Sequence, residues 1–156
     1  MGIYQIFFVP LQRISKNRIR RMNTFIGNID AKADEKGRIF VPASYRKILE
    51  EMGSKHIVLR RDTDNECLIF YPEQVWNEKV SALRQALDEW DPEDQLILMQ
   101  FTSDAETLET DSQGRVLLAK KNIEATTSEN IETKSNDFVF VGMLDRFALW
   151  RPEVFA

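Results

Sequence analysis

Chemistry-bearing residues are scarce in this chain. It has a single cysteine, Cys67, and a single histidine, His56, in 156 residues. One cysteine excludes an internal disulfide, and in an apolar strand a free thiol behaves as a small hydrophobe, which fits a reducing cytoplasm. One histidine and one cysteine cannot supply a metal site, and Cys67 has no basic partner in the pattern that would activate it as a nucleophile. No metal and no cofactor is expected. His56 opens an apolar stretch and is read as a structural histidine. There is no Gly-rich phosphate loop, and no apolar run approaches a bilayer span, so no membrane segment is expected. A net charge of -4 offers no general attraction to nucleic acid.

Composition is otherwise that of a globular domain, with 43% hydrophobic and 29% charged residues. The first 21 residues stand apart, with five basic and no acidic side chains, which leaves -9 for the rest. Their apolar stretch precedes the basic cluster, the reverse of a secretory signal. We expect residues 1–21 to be an extension upstream of a start at Met22. The rival reading is a phosphate-gripping basic arm, in which Ile3, Phe7 and Phe8 would be out of place.

What the chain does have is a repeat. Asp34-Glu35-Lys36-Gly37-Arg38 runs into Ile39-Phe40-Val41, and Asp111-Ser112-Gln113-Gly114-Arg115 runs into Val116-Leu117-Leu118. In each copy the Asp can accept a backbone hydrogen bond about two residues on, the Gly supplies positive φ, and the Arg opens a strand. Farther along, Leu68–Val75 aligns with Ala148–Phe155, with Pro-Glu in the same place. Each half reads as loop, strand, short helix, two strands and a Pro-started helix. Duplicated units of this kind share one core, which predicts a mixed α+β, β-rich fold of two pseudo-symmetric halves. The expected divisions are residues 1–21, a first repeat over 22–76, a helical connector over 77–102 and a second repeat over 103–156.

Periodicity fills in the helices. Tyr45, Ile48, Leu49 and Met52 form one helical face that stops at Gly53, with Pro42 in the first turn. Trp76, Val80, Leu83 and Leu87 predict a buried stripe, and Leu96–Phe101 is apolar nearly all round, so it needs cover from the core or another subunit. The second repeat predicts a short helix near Ala119–Glu124 and then a mobile polar loop from Thr126 to Asp137.

Two readings of the loops remain open. Asp34 and Asp111 could pair as carboxylates across the pseudo-twofold, yet each is followed by an Arg rather than by small hydroxyl residues. Lys32, Lys36, Arg38, Arg46 and Lys47 cluster around the first loop and make a local basic patch on an acidic body. Each arginine could contact DNA, or it could only stiffen its turn through a salt bridge to the preceding Asp. The thinner basic signal near the second loop places Arg38 ahead of Arg115.

Phe25-x-Gly27, Asp34-x-Lys36-Gly37-Arg38-Ile39-x-Val41-Pro42, Leu68-x-x-Tyr71-Pro72 with Trp76, Asp111-x-Gln113-Gly114-Arg115-Val116, and Val141-Gly142 with Phe147-x-x-Trp150 together resemble the MraZ family. The resemblance implies two SpoVT-AbrB-like halves of swapped-hairpin β fold. It further implies a cytoplasmic, nucleoid-associated, ring-like homo-oligomer that binds double-stranded DNA at direct repeats upstream of the division and cell-wall gene cluster. DNA contact falls on Arg38 and Arg115 with Lys36, Gln113 and Lys32, on loops shaped by Asp34, Gly37, Asp111 and Gly114. The alternative is a structural or interaction oligomer with no DNA contact.

Overall fold

The computed structural model describes residues 24–127 and 135–155. The first half runs β1 (Asn28–Lys32), β2 (Arg38–Phe40), α1 (Ala43–Glu51), β3 (Ile57–Arg61), β4 (Leu68–Pro72) and α2 (Glu73–Ala86). After α3 (Pro92–Ser103) the second half repeats that order. It consists of β5 (Glu106–Leu108), β6 (Arg115–Leu117), α4 (Lys120–Ala125), β7 (Asp137–Gly142), β8 (Phe147–Trp150) and α5 (Pro152–Phe155). The fold is therefore mixed α+β, with the repeat carried through element by element.

The halves are interlocked. Six strands form one sheet in the order β1-β7-β8-β4-β3-β5, and β2 pairs with β6 in a separate ribbon. The first strand of each half is hydrogen-bonded to the other half's hairpin: β1 to β7, with Ile29 opposite Phe140, and β5 to β3, with Thr107 opposite Val58. All these pairings are antiparallel. Neither half can complete its share of the sheet alone.

One face of the sheet, together with the inward side of the ribbon and α1, encloses an aromatic core. Phe25, Tyr45, Phe70, Phe140 and Phe147 meet with ring centroids 4.9 to 6.3 Å apart. Strand alternation sends Ile69 and Tyr71 to the opposite face, where they join Val58, Cys67, Val75 and Ala148. Burial on both faces explains why β3 and β4 read as unbroken apolar runs rather than as alternating ones.

Pro42 and Pro72 act one position earlier than the sequence suggests. Pro42 caps α1 with extended backbone (ψ 140°) and its carbonyl accepts from Tyr45 and Arg46, so the missing N–H of proline falls outside the helix. Pro72 caps α2 in the same way. At the far end of α1, Ser54 donates to the Leu49 carbonyl and Gly53 to that of Glu50, with Gly53 left-handed at φ 68°. This is a Schellman stop, as the glycine predicts.

The buried stripe expected on α2 is only half-buried. Val75 is the residue that reaches the sheet, with Trp76 beside it, whereas Val80, Leu83 and Leu87 lie in no core cluster. Trp76 instead stacks on Phe101 of α3 at 5.0 Å, and Arg60 from β3 lies 4.5 Å over the same ring. The α2–α3 hairpin is thus pinned at one end. Leu96, Ile97 and Met99 are exposed, so the protein's own core does not provide the cover that α3 calls for. The short helix of the second half is present as α4. The middle of the expected polar loop, residues 128–134, lies outside the described residues, as do residues 1–23 with the proposed start.

Phe147 contacts four other rings and is fully buried. Phe147→Ala is expected to lower stability by about 3–5 kcal/mol, read as a shift of the urea unfolding midpoint. A loss below about 1 kcal/mol would contradict the shared core.

Candidate nucleic-acid interface

Both hairpin loops have the same hydrogen-bond plan. In the first, Asp34 Oδ1 accepts the N–H groups of Lys36 and Arg38 at 2.9 Å each, and Asp34 Oδ2 accepts Arg38 Nε at 2.6 Å. In the second, Asp111 Oδ1 accepts the N–H groups of Gln113 and Arg115 at 2.9 Å each, and Oδ2 accepts Arg115 Nε at 2.8 Å. Gly37 and Gly114 close the turns at φ 87° and 84°. The turn chemistry read from the sequence is present in both copies, and so is the Asp–Arg salt bridge that the sequence left open.

That salt bridge is compatible with a second role for each arginine. It engages Nε, and among the described residues the Nη groups of Arg38 and Arg115 make no hydrogen bond. An arginine held along one edge keeps its outer fork of donors and has less side-chain freedom to lose on contact. The carboxyl of Asp34 is held below the usual carboxylate range chiefly by the Arg38 backbone N–H. Desolvation opposes this, and the Arg38 side chain and the Lys36 N–H add to it. Asp111 is lowered likewise, first by the Arg115 backbone N–H. A depressed pKa suits an ionised anchor and not a general acid, which removes the support for a carboxylate pair.

The two loops meet through the ribbon. Arg38 lies opposite Leu117, Ile39 opposite Val116 and Phe40 opposite Arg115. Ile39 and Val116 point into the core, so Arg38, Phe40, Arg115 and Leu117 share the outer face. Beyond the ribbon each strand is tied to the other half's loop. Val41 N–H donates to the Gly114 carbonyl at 3.0 Å, and Leu118 N–H donates to the Gly37 carbonyl at 2.8 Å. A Cβ on Gly37 would lie 2.6 Å from Leu118 O, so this glycine is required both for its φ and for the close approach of the other half. On Gly114 a Cβ would run into the Arg46 guanidinium.

The basic residues are distributed differently from their order in sequence. Arg46, grouped with the first loop by proximity along the chain, packs on the second loop. Lys36 and Gln113 are exposed at corresponding positions of the two turns. Lys32, at the end of β1, lies 3.9 Å from Asp137 and is largely solvated. Of the acids near the second loop, Glu106 pairs with Lys121 at 2.7 Å, whereas Glu109 Oε1 lies 3.0 Å from His56 Nδ1 without a hydrogen bond to it. Arg38 is the more open arginine, with 36% of its side chain accessible against 19% for Arg115, which lies over the Phe40 ring.

Sequence reasoning missed Phe40 and Leu117 as members of the outer face. The period-two alternation of Arg38-Ile39-Phe40 and Arg115-Val116-Leu117 could have placed them there. Burial pushes the Cys67 thiol up to about 12, so at neutral pH it is protonated and poorly nucleophilic. Among the described residues no group of three or more His, Cys, Asp or Glu is placed to hold a metal ion, and no helix is long and apolar enough to cross a membrane.

The arrangement defines a class: duplicated α+β proteins that present two Asp-anchored arginines on a two-stranded ribbon shared between the halves. Comparison with known proteins specifies it further. The family described as "MraZ protein, putative antitoxin-like" matches residues 24–99. Proteins named "Transcriptional regulator MraZ" from Bacteroides fragilis and Bacteroides thetaiotaomicron are each 39% identical over 132 residues. These alignments span 85% of this chain and 80% or 81% of the relative. One from Chromobacterium violaceum is 37% identical over 121 residues, spanning 77% of this chain and 76% of its own. The chain belongs to the MraZ family.

The loop geometry predicts a pH signature. Since the folded-state pKa of each Asp is depressed, its contribution to stability is fully present above the ordinary Asp value of about 3.9 and is lost as pH falls through the lower folded-state value. Asp34→Asn is therefore expected to lower Tm by a constant amount above about pH 5, with the gap to wild type narrowing as pH drops below about 4. A gap that persists unchanged to low pH would contradict the ionised anchor.

Proposed function

We propose that this chain is a sequence-specific regulator of transcription that binds double-stranded DNA through the two Asp-x-x-Gly-Arg loops. The observation that carries the reading is the pair of arginines anchored through Nε on the outer face of one ribbon. Arginine can bond bidentately to guanine O6 and N7, and a two-stranded ribbon is admitted by the major groove. Arg38 and Arg115 read bases, Arg38 contributing more, while Lys36, Gln113 and Lys32 reach neighbouring bases or phosphates. Asp34, Gly37, Asp111 and Gly114 hold the loops in shape. The names of the family relatives support the regulatory role.

One loop pair on a chain of net charge -4 binds weakly. The reading therefore includes a ring-like homo-oligomer that engages evenly spaced direct repeats upstream of the division and cell-wall gene cluster, in the cytoplasm at the nucleoid. Affinity then comes from effective concentration rather than from a basic body. The uncovered face of α3 at Leu96, Ile97 and Met99 supports subunit contact there. In this reading residues 22–76 and 103–156 are the two SpoVT-AbrB-like halves, residues 77–102 connect them, and residues 1–21 are an extension.

The test is binding of the protein to the DNA upstream of its own coding sequence across a salt series, beside Arg38→Ala and Arg115→Ala. Wild type is expected to prefer repeat-bearing over scrambled DNA and to weaken steeply with salt. Arg38→Ala is expected to cost about 1–3 kcal/mol per site, multiplied across the oligomer, and Arg115→Ala less. Equal binding by all three proteins, or none by any, would make the loops scaffolding and leave a structural oligomer as the account.

A further inference from the structure

The outer face of the ribbon carries four side chains, and the reading above uses two of them. The other two are large, apolar and open to solvent: Phe40 is 53% exposed and Leu117 58%. They are not stray core residues, because Ile39 and Val116 already fill the inward side at 0% and 1% exposure. The register sets Arg38 directly across from Leu117 and Phe40 directly across from Arg115. The face is thus a two-by-two checkerboard in which each cation has an apolar neighbour on both the same strand and the opposite one. The Arg115 guanidinium carbon lies 5.8 Å from the Phe40 ring centre.

Such a checkerboard is a poor seat for a protein's apolar patch, since covering it would strip water from both guanidiniums. It suits a stretch of major-groove floor where guanine neighbours thymine, which sets the O6 and N7 acceptors beside a C5 methyl group. The dimensions agree. Neighbouring strands are about 4.8 Å apart, within a groove about 12 Å wide. Diagonal partners such as Arg38 and Arg115 are about 7–8 Å apart, close to two base steps of about 3.4 Å. We propose that Phe40 and Leu117 are specificity-determining residues that contact thymine methyl groups beside the guanines read by Arg115 and Arg38. Each half-ribbon then recognises guanine and thymine together, a distinction that arginine alone cannot make. The inference rests on the DNA-binding reading.

Deoxyuridine lacks only the C5 methyl of thymidine, so the probe is the chain's own upstream duplex made once with thymine and once with uracil throughout, alongside a scrambled thymine duplex. Wild type is expected to bind the uracil duplex about four- to fifteenfold more weakly for each repeat engaged, one or two methyl groups per chain at about fourfold each, compounded across the oligomer. The Phe40→Ala, Leu117→Ala double variant is expected to bind both duplexes equally. Phe40→Gln, Leu117→Gln serves as a second pair if the first is poorly folded. Equal binding of both duplexes by wild type overturns the inference. So does a double variant that keeps the wild-type ratio, which would assign the methyl effect to DNA shape. A double variant with altered assembly mass and unchanged methyl sensitivity overturns it too, and makes the face a contact between copies. If wild type does not separate its own duplex from the scrambled one, the DNA-binding reading falls and this inference with it.

Discussion

Each half of this protein is completed by the other, and the cross-over of hydrogen bonds at the glycine loops is the constraint on which the candidate site depends. Gly37 offers its carbonyl to Leu118, and Gly114 offers its own to Val41. Both glycines sit in left-handed turns, the Gly37 bond also leaves no room for a Cβ beside Leu118 O, and both bonds bring the two arginine-bearing strands side by side. The ribbon consists of three facing pairs, too short to persist by itself. Its persistence comes from Ile39 and Val116 beneath it and from the exchanged strands β1 and β5 on either edge of the large sheet. Loop shape, ribbon and sheet therefore stand or fall together.

Within that frame the aspartates convert backbone geometry into side-chain geometry. Each accepts two backbone N–H groups and one Nε, so the same carboxylate that closes the turn also aims the arginine. Salt-bridge stiffening and DNA contact had looked like competing roles for Arg38 and Arg115. With Nε engaged and the fork still open, the two roles are compatible. In the proposed DNA-binding reading the first prepares the second, because a side chain ordered in advance loses less freedom on binding.

Much of this was legible in the sequence because the repeat gave two copies of each signal. Asp34 to Arg38 is an ordinary turn when seen once; with Asp111 to Arg115 in the same frame it is an architecture. Gly53 and the Tyr45–Leu49 face appear where their spacing puts them, and a helix follows each Pro-Glu pair, with Pro72 capping its helix and Pro152 inside its own. What was not legible was whatever depends on the other half. Arg46 is eight residues past Arg38, yet it packs on Gly114, because strand exchange carries α1 toward the opposite loop. The α2 stripe looked like a core face because periodicity reports an apolar side and not what covers it. Here only the first turn touches the sheet, and α3 takes Trp76. Phe40 and Leu117 were missed for a simpler reason: an apolar residue in a strand reads as core until the alternation with Ile39 and Val116 is followed through.

The central claim is that Arg38 and Arg115 read guanines from one shared ribbon. Guanine N7 methylation interference on the bound upstream duplex tests it most directly, since a methyl on N7 blocks the acceptor that arginine needs. For wild type the account predicts interference at two guanines about two base steps apart in each repeat. It further predicts that Arg38→Ala loses sensitivity at one of them and Arg115→Ala at the other. Binding indifferent to N7 methylation, or the same pattern in both variants, would contradict it.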